Sequence, residues 1–224
     1  MIHISKNKDM DKDVFNDFFG SSFAGVDFGK KIERDHPGIS INNYSSYIDQ
    51  YYIKHENEIS TAMLSIEKTI MKSENAYWGY MQKIFDNDYS GMNCTGYISI
   101  FDCNPRFPET KSFQVFYKRK PKDILGVIYH EITHFCFFEY IKSNLPFEIS
   151  SLDINDGVLW ELSEIFNHIV LNQPELTGTI EQYEKIGYTE LQEKTNEINR
   201  LWLNKNTLVE FISDSITFLN KTFH

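Results

Sequence analysis

Three cysteines in 224 residues are too few for a disulfide framework, and no C-x-x-C pair offers a thiol metal site or a redox motif. Cys94 and Cys103 can pair only if a hairpin brings them together. Cys136 falls well off the polar edge of its helix and reads as a packed apolar thiol. No apolar run approaches 18 residues, so no membrane-spanning helix is expected. The opening MIHISKNKDMDKD is polar and has no apolar core segment. No secretory signal is therefore read, and the expected location is cytoplasmic, with export by a route lacking such a signal left open. Positive charge is also scarce: 22 Lys and Arg stand against 32 Asp and Glu, a net charge of −10. Phosphate contacts need clustered cations, so a nucleic-acid partner is not expected. The one basic run, Lys118-Arg119-Lys120-Pro121-Lys122, is short and reads as a strand-to-helix loop. No internal repeat and no low-complexity segment is present.

What the chain does have is apolar and aromatic substance, 41% and 15% of its residues. That is a globular composition, and the length suits one domain with a sizeable core. The most apolar helical stretch is KDILGVIYHEITHFCFFEYIKS, residues 122–143. Ile124, Leu125, Ile128, Ile132, Phe135 and Phe138 recur in it at helical spacing. Pro121 and Asp123 suit its start, and Pro146 lies just past its end.

Inside this helix stands His130-Glu131-Ile132-Thr133-His134, an H-E-x-x-H motif. Positions i and i+4 lie one above the other on a helix, so both imidazoles can face a single metal ion. Glu131 sits beside them, suited to take a proton from water at that metal. A helix this apolar needs a reason to carry His, Glu and His along one edge, because uncompensated polar burial is costly. Metal ligation is such a reason; the plainer alternative is a pair of structural histidines satisfied by hydrogen bonds.

The segment Val127 to Cys136 resembles the extended signature of the zincin metallopeptidases, in which the positions around the motif are uncharged and mostly apolar. A catalytic zinc takes three protein ligands and a water. The metzincin continuation needs Gly and His where this chain has Phe137 and Tyr140, and no H-x-x-E-H occurs. A carboxylate from a later helix remains, which resembles the gluzincin pattern. Residues 155–172 form that helix, with an apolar stripe of Val158, Leu162, Ile165, Phe166 and Ile169. Asp153, Asn155 or Asp156 suits its cap. Glu161, Glu164 and His168 run along one edge of the stripe. Leu162-Ser163-Glu164 looks like the L-[NS]-E that carries the zinc-ligand glutamate in many gluzincins, so Glu164 is the expected third ligand. Glu161, nearer the apolar stripe, is the alternative. The spacing of 30 residues from His134 to Glu164 is longer than in many gluzincins, which keeps Glu148, Asp153 and Asp156 as outside candidates.

The expected fold is α+β: a mostly helical, zincin-like domain with a small sheet packed beside the H-E-x-x-H helix and a helical C-terminal half. One domain spans 1–224, with sheet and active-site helix in about 1–145 and the third ligand in about 150–224. Ile2-His3-Ile4 reads as a short strand, and the Gly20 to Gly29 segment as loop. Tyr44, Ile48, Tyr51, His55, Ile59, Met63, Ile66 and Ile70 repeat at helical spacing from about Asn43 to Phe85, with a break expected near Ser73 to Asn75. Strands are expected at Tyr97 to Asp102 and Phe113 to Tyr117. Either strand suits the edge that pairs with an extended peptide in the zincin half-domain. Residues 179–203 form one amphipathic stretch, broken if anywhere at Gly187, whose charges, Lys194 among them, read as a solvated face. Residues 206–222 form another, with Leu208, Phe211, Ile212, Ile216 and Leu219 inward.

The resemblance implies a zinc-dependent peptidase acting on a peptide or protein, with Zn2+ on His130, His134 and Glu164 and with Glu131 as general base. Tyr183, Tyr188 and His168 are candidates by residue type for stabilising the tetrahedral oxyanion. Two competing readings are a catalytically degenerate zincin fold used for binding or regulation, and a helical structural protein with a chance motif. Oligomeric state is not legible.

Overall fold

A computed structural model describes residues 1–23, 26–146, 152–180 and 188–222. The fold is α+β. The chain forms two compact units: Met1–Asn75 with Gly91–Ile128, and Ala76–Ser90 with Tyr129–His224. The expected partition near residue 145 runs differently, because the histidine motif belongs with the C-terminal helices and the sheet belongs to the first unit.

The first unit opens with β1 (Ile2–Lys6), α1 (Lys8–Phe18), the two-residue strands β2 (Ser22–Phe23) and β3 (Val26–Asp27), α2 (Phe28–Asp35) and α3 (Tyr44–Lys54). The long helix α4 (Glu56–Phe85) starts in this unit. β4 (Cys94–Ser99), β5 (Arg106–Phe107), β6 (Ser112–Phe116) and the first turns of α5 (Pro121–Asn144) complete it. The sheet order is β1-β4-β6-β5. β1 and β6 run parallel to β4, and β5 is antiparallel to β6. Parallel partners need long crossovers, and the helices between β1 and β4 supply one. Gly96 faces Ile4 on one side and Phe113 on the other. A Cβ there would meet Ile4 Cδ1 and Phe113 Cε2 at 2.9 Å each, so only glycine lets both side chains cross the central strand.

The structure corrects four local expectations. The strand expected at Tyr97 to Asp102 is β4, three residues earlier, because Cys94, Thr95 and Gly96 pair with Ile2, His3 and Ile4. A partner about ninety residues away leaves no local mark. β4 is interior to the sheet, and β6 carries β5 on its outer side, so the edges are β1 and β5. The helical break falls at His55, which stacks on Tyr51 at 4.3 Å; α4 runs unbroken through Ser73, whose hydroxyl donates back to the Thr69 and Ile70 carbonyls. The Gly20 to Gly29 segment contains the start of α2, capped by Asp27, which accepts from Lys30 N at 2.9 Å.

The first unit also buries a carboxylate. Asp11, fully inaccessible, accepts from Ser99 Oγ at 2.6 Å, Gln114 Nε2 at 3.0 Å, Tyr52 Oη at 2.7 Å and Ile100 N at 3.1 Å. It ties α1 to α3 and to the sheet. Burial pushes its carboxyl up to about 6, against the four hydrogen bonds.

The second unit contains the ends of α4 and α5, then α6 (Gly157–Leu171), α7 (Gln192–Asn204) and α8 (Leu208–Thr222). α6 is capped by Asp156, as the sequence allowed. Of the amphipathic stretch expected at 179–203, the described part from residue 188 holds a 3-10 turn, Thr189–Leu191, that leads into α7; Gly187 lies outside the described residues. Phe166 is the hub of the core, with ring centroids 4.7 Å from Phe137, 5.9 Å from Trp202 and 6.3 Å from Phe211. Leu208, Phe211, Ile212, Ile216 and Leu219 are all buried. Among the described residues, no helix is long and apolar enough to cross a membrane.

Candidate metal centre

α5 spans Pro121–Asn144, close to its expected bounds, and residues 131–138 are buried on every side of it. A polar side chain there has to find its partner in a neighbouring helix. One face meets α4: Tyr77 stacks on Tyr129 at 4.1 Å, and its hydroxyl lies 2.9 Å from Thr133 Oγ1. Thr133 Oγ1 also donates to the Tyr129 carbonyl at 2.6 Å. Another face meets α6, where Asn167 Nδ2 donates to the His130 carbonyl at 2.8 Å. These contacts fix the rotation of α5 and aim its two histidines at α6.

His130 and His134 converge with Glu164. The two Nε2 atoms are 3.0 Å apart. Glu164 Oε2 is 3.2 Å from His130 Nε2, and Oε1 is 3.3 Å from His134 Nε2. The imidazoles meet edge to face, 84° between planes, and Phe138 stacks along His134 at 5.8 Å. His134 and Glu164 are buried, with side chains 0% and 3% exposed, whereas the His130 side chain is 33% exposed. One side of the centre therefore opens past His130. Burial would raise the Glu164 carboxyl, but the adjacent His134 and His130 imidazoles outweigh it and hold the group well below the usual carboxylate range. Two nitrogens and a carboxylate gathered in a dry site form a donor set suited to a divalent cation, which would compensate the buried charge. Among the described residues, these three form the one group of His, Cys, Asp or Glu gathered closely enough to hold a metal ion.

Glu131 is buried as well, 6% exposed. Glu161, the alternative third ligand, is not in the group. Both its oxygens lie 2.7 Å from Lys194 Nζ on α7. The expectation that Lys194 belongs to a solvated face is thus corrected. Its position is legible in retrospect, three residues after buried Leu191 and four before buried Ile198, at the border of the apolar stripe of α7.

His168 lies one turn after Glu164. Asn172 Nδ2 donates to the His168 carbonyl at 2.7 Å and lies 3.1 Å from His168 Nδ1. The carbonyl can only accept, so the amide presents its NH2 to Nδ1, and a neutral His168 carries its proton on Nε2. Burial, reinforced by His130 nearby, lowers the His168 pKa, which favours that neutral form. Tyr188 packs edge-on against Trp160 at 5.1 Å. Asp156 is spent capping α6, and Asp153 accepts from Asn155 N. Glu148 and Tyr183 lie outside the described residues. Cys94, Cys103 and Cys136 are free thiols, with Cys94 and Cys136 buried.

Comparison of the chain with protein-family models, with curated proteins and with solved structures returned no match.

Proposed function

We propose that this chain is a zinc-dependent peptidase of gluzincin-like zincin type, with zinc held by His130, His134 and Glu164 and with Glu131 as general base. The observation that carries the reading is the convergence of both Nε2 atoms of H-E-x-x-H with a buried carboxylate from a later helix. When bound, zinc supplies Lewis acidity and an acidified water. The chain's own residues do the rest. Glu131 takes the proton released when water adds to a peptide carbonyl and returns it to the departing amine nitrogen. Its buried setting keeps the proton from exchanging freely with bulk solvent. Phe138 and the packing around Phe137 and Phe166 exclude water from the inner side, so substrate enters past half-exposed His130. Three free thiols support a reducing compartment, the cytoplasm.

The test is a peptide-library screen with zinc-loaded wild type and Glu131→Gln. The expected outcome is cleavage by wild type, a loss of about 10²-fold or more in the variant, and equal zinc in both. Equal cleavage by both proteins refutes the role of Glu131. About one equivalent of zinc in both with cleavage by neither favours the degenerate, binding-only zincin. No zinc in either removes the reading altogether.

A further inference from the structure

Glu161 and Glu164 stand one turn apart on α6, and side chains three residues apart on a helix are neighbours. Both are buried, at 7% and 3% exposure. Yet they have separate settings. Glu164 spans the two imidazoles, while Glu161 gives both oxygens to the Lys194 ammonium. We propose that Lys194 is a positioning residue: it holds the Glu161 carboxylate off the metal, so that the His130, His134 and Glu164 centre keeps three protein ligands and one open position. This rests on the metal-site reading above.

The chemistry follows from charge and ligand count. Glu161 carries the same ligand group as Glu164 one turn away on α6, and a buried carboxylate without a counter-charge is drawn to a nearby dication. The ammonium bridging both Glu161 oxygens removes that drive. Four protein ligands make a closed, structural zinc site, whereas three and a water make a catalytic one. The ion pair between α6 and α7 thus decides which kind of site the same residues form.

The experiment uses full-length wild type, Lys194→Met, and Lys194→Met/Glu161→Gln, each loaded with cobalt(II) and titrated with azide, an anion that occupies an open metal position. Wild type should show an azide-dependent change in the cobalt spectrum. Lys194→Met should bind cobalt and lose azide affinity by about 10-fold or more, an effect of the size seen when groups surrounding metal ligands are altered. The double variant should regain the wild-type response. An unchanged azide affinity in Lys194→Met overturns the proposal. Should Lys194→Met melt early without metal, added zinc should restore it, because Glu161 then has the ion as its partner; failure of zinc to do so while the double variant folds and binds overturns the proposal too. A wild type that takes up neither cobalt nor zinc overturns the metal site itself, which is a different result from an intact site indifferent to Lys194.

Discussion

Glu164→Ala separates the expected ligand from its neighbour on the same helix. The two Glu164 oxygens are the only carboxylate oxygens within 3.3 Å of the paired Nε2 atoms among the described residues. Removing them leaves two histidines, which do not close a zinc site. Zinc binding to the native state alone stabilises a protein by RT ln(1 + [Zn]/Kd), or about 4 kcal/mol at a thousandfold excess over Kd. For a chain of this size each kcal/mol moves the melting temperature by roughly 2–4 °C, so wild type should gain roughly 8–16 °C from zinc. Glu164→Ala should lose nearly all of that gain. Glu161→Gln behaves in the opposite way. It removes the partner of Lys194, so its metal-free baseline falls, but its zinc-induced shift survives. Differential scanning fluorimetry with and without zinc reads both quantities from one set of samples. A Glu164→Ala protein with the full zinc shift, or a Glu161→Gln protein with none, refutes the ligand assignment.

Two further predictions concern other parts of the fold. Asp11 is raised from 3.8 to about 6 by burial, so the native state binds the extra proton between those values. Stability therefore falls as pH rises through that window, by about 3 kcal/mol at most. Urea titrations at pH 4 and pH 7 should show the fall in wild type and not in Asp11→Asn; a flat wild-type profile contradicts it. His168 should carry its proton on Nε2 at neutral pH, and long-range ¹⁵N–¹H correlation spectra distinguish the two tautomers directly. Asn172→Leu should relax that preference; an Nδ1–H tautomer in wild type overturns the hydrogen-bond assignment.

The legible parts of the chain are those whose signals are local. α5, α6 and α8 declare themselves by apolar spacing, and the start of α6 is capped by Asp156, one of the three residues that suited it. The histidine pair follows from helical geometry alone. Between Glu161 and Glu164, which ride the same edge, the L-[NS]-E likeness favoured Glu164; the structure puts Glu164 beside the two histidines and Glu161 against Lys194 on α7. What escaped reading was set by distant partners. β4 begins three residues early because β1 pairs with it. Asp11 sits among polar residues in DMDKD and resembles surface, yet four donors from three other segments enclose it. α4 continues through Ser73, whose hydroxyl turns back onto the helix's own carbonyls, and composition does not distinguish that from a break.

Charge balance supplies an argument for a dication that does not depend on resemblance. Among the described residues of the second unit the buried carboxylates are Glu131, Glu161 and Glu164. Uncompensated, each is costly to bury. Lys194 offsets one, at Glu161. Glu164 sits with His134, which is fully buried, and His130, whose side chain is 33% exposed. Protonating both imidazoles would set two cationic rings edge to face with their Nε2 atoms 3.0 Å apart, a strongly repulsive arrangement at short range. A divalent cation held by His130, His134 and Glu164 would offset the buried Glu164 charge and take the facing nitrogens as ligands. Protons and metal compete for those nitrogens, so zinc affinity should fall as pH drops below the histidine range, with ligand deprotonation as its cause. Isothermal titration across pH 5 to 8 in buffers of different ionisation enthalpy measures the protons released. Binding with no proton release and no loss of affinity at pH 5 would show that zinc, if it binds, binds elsewhere.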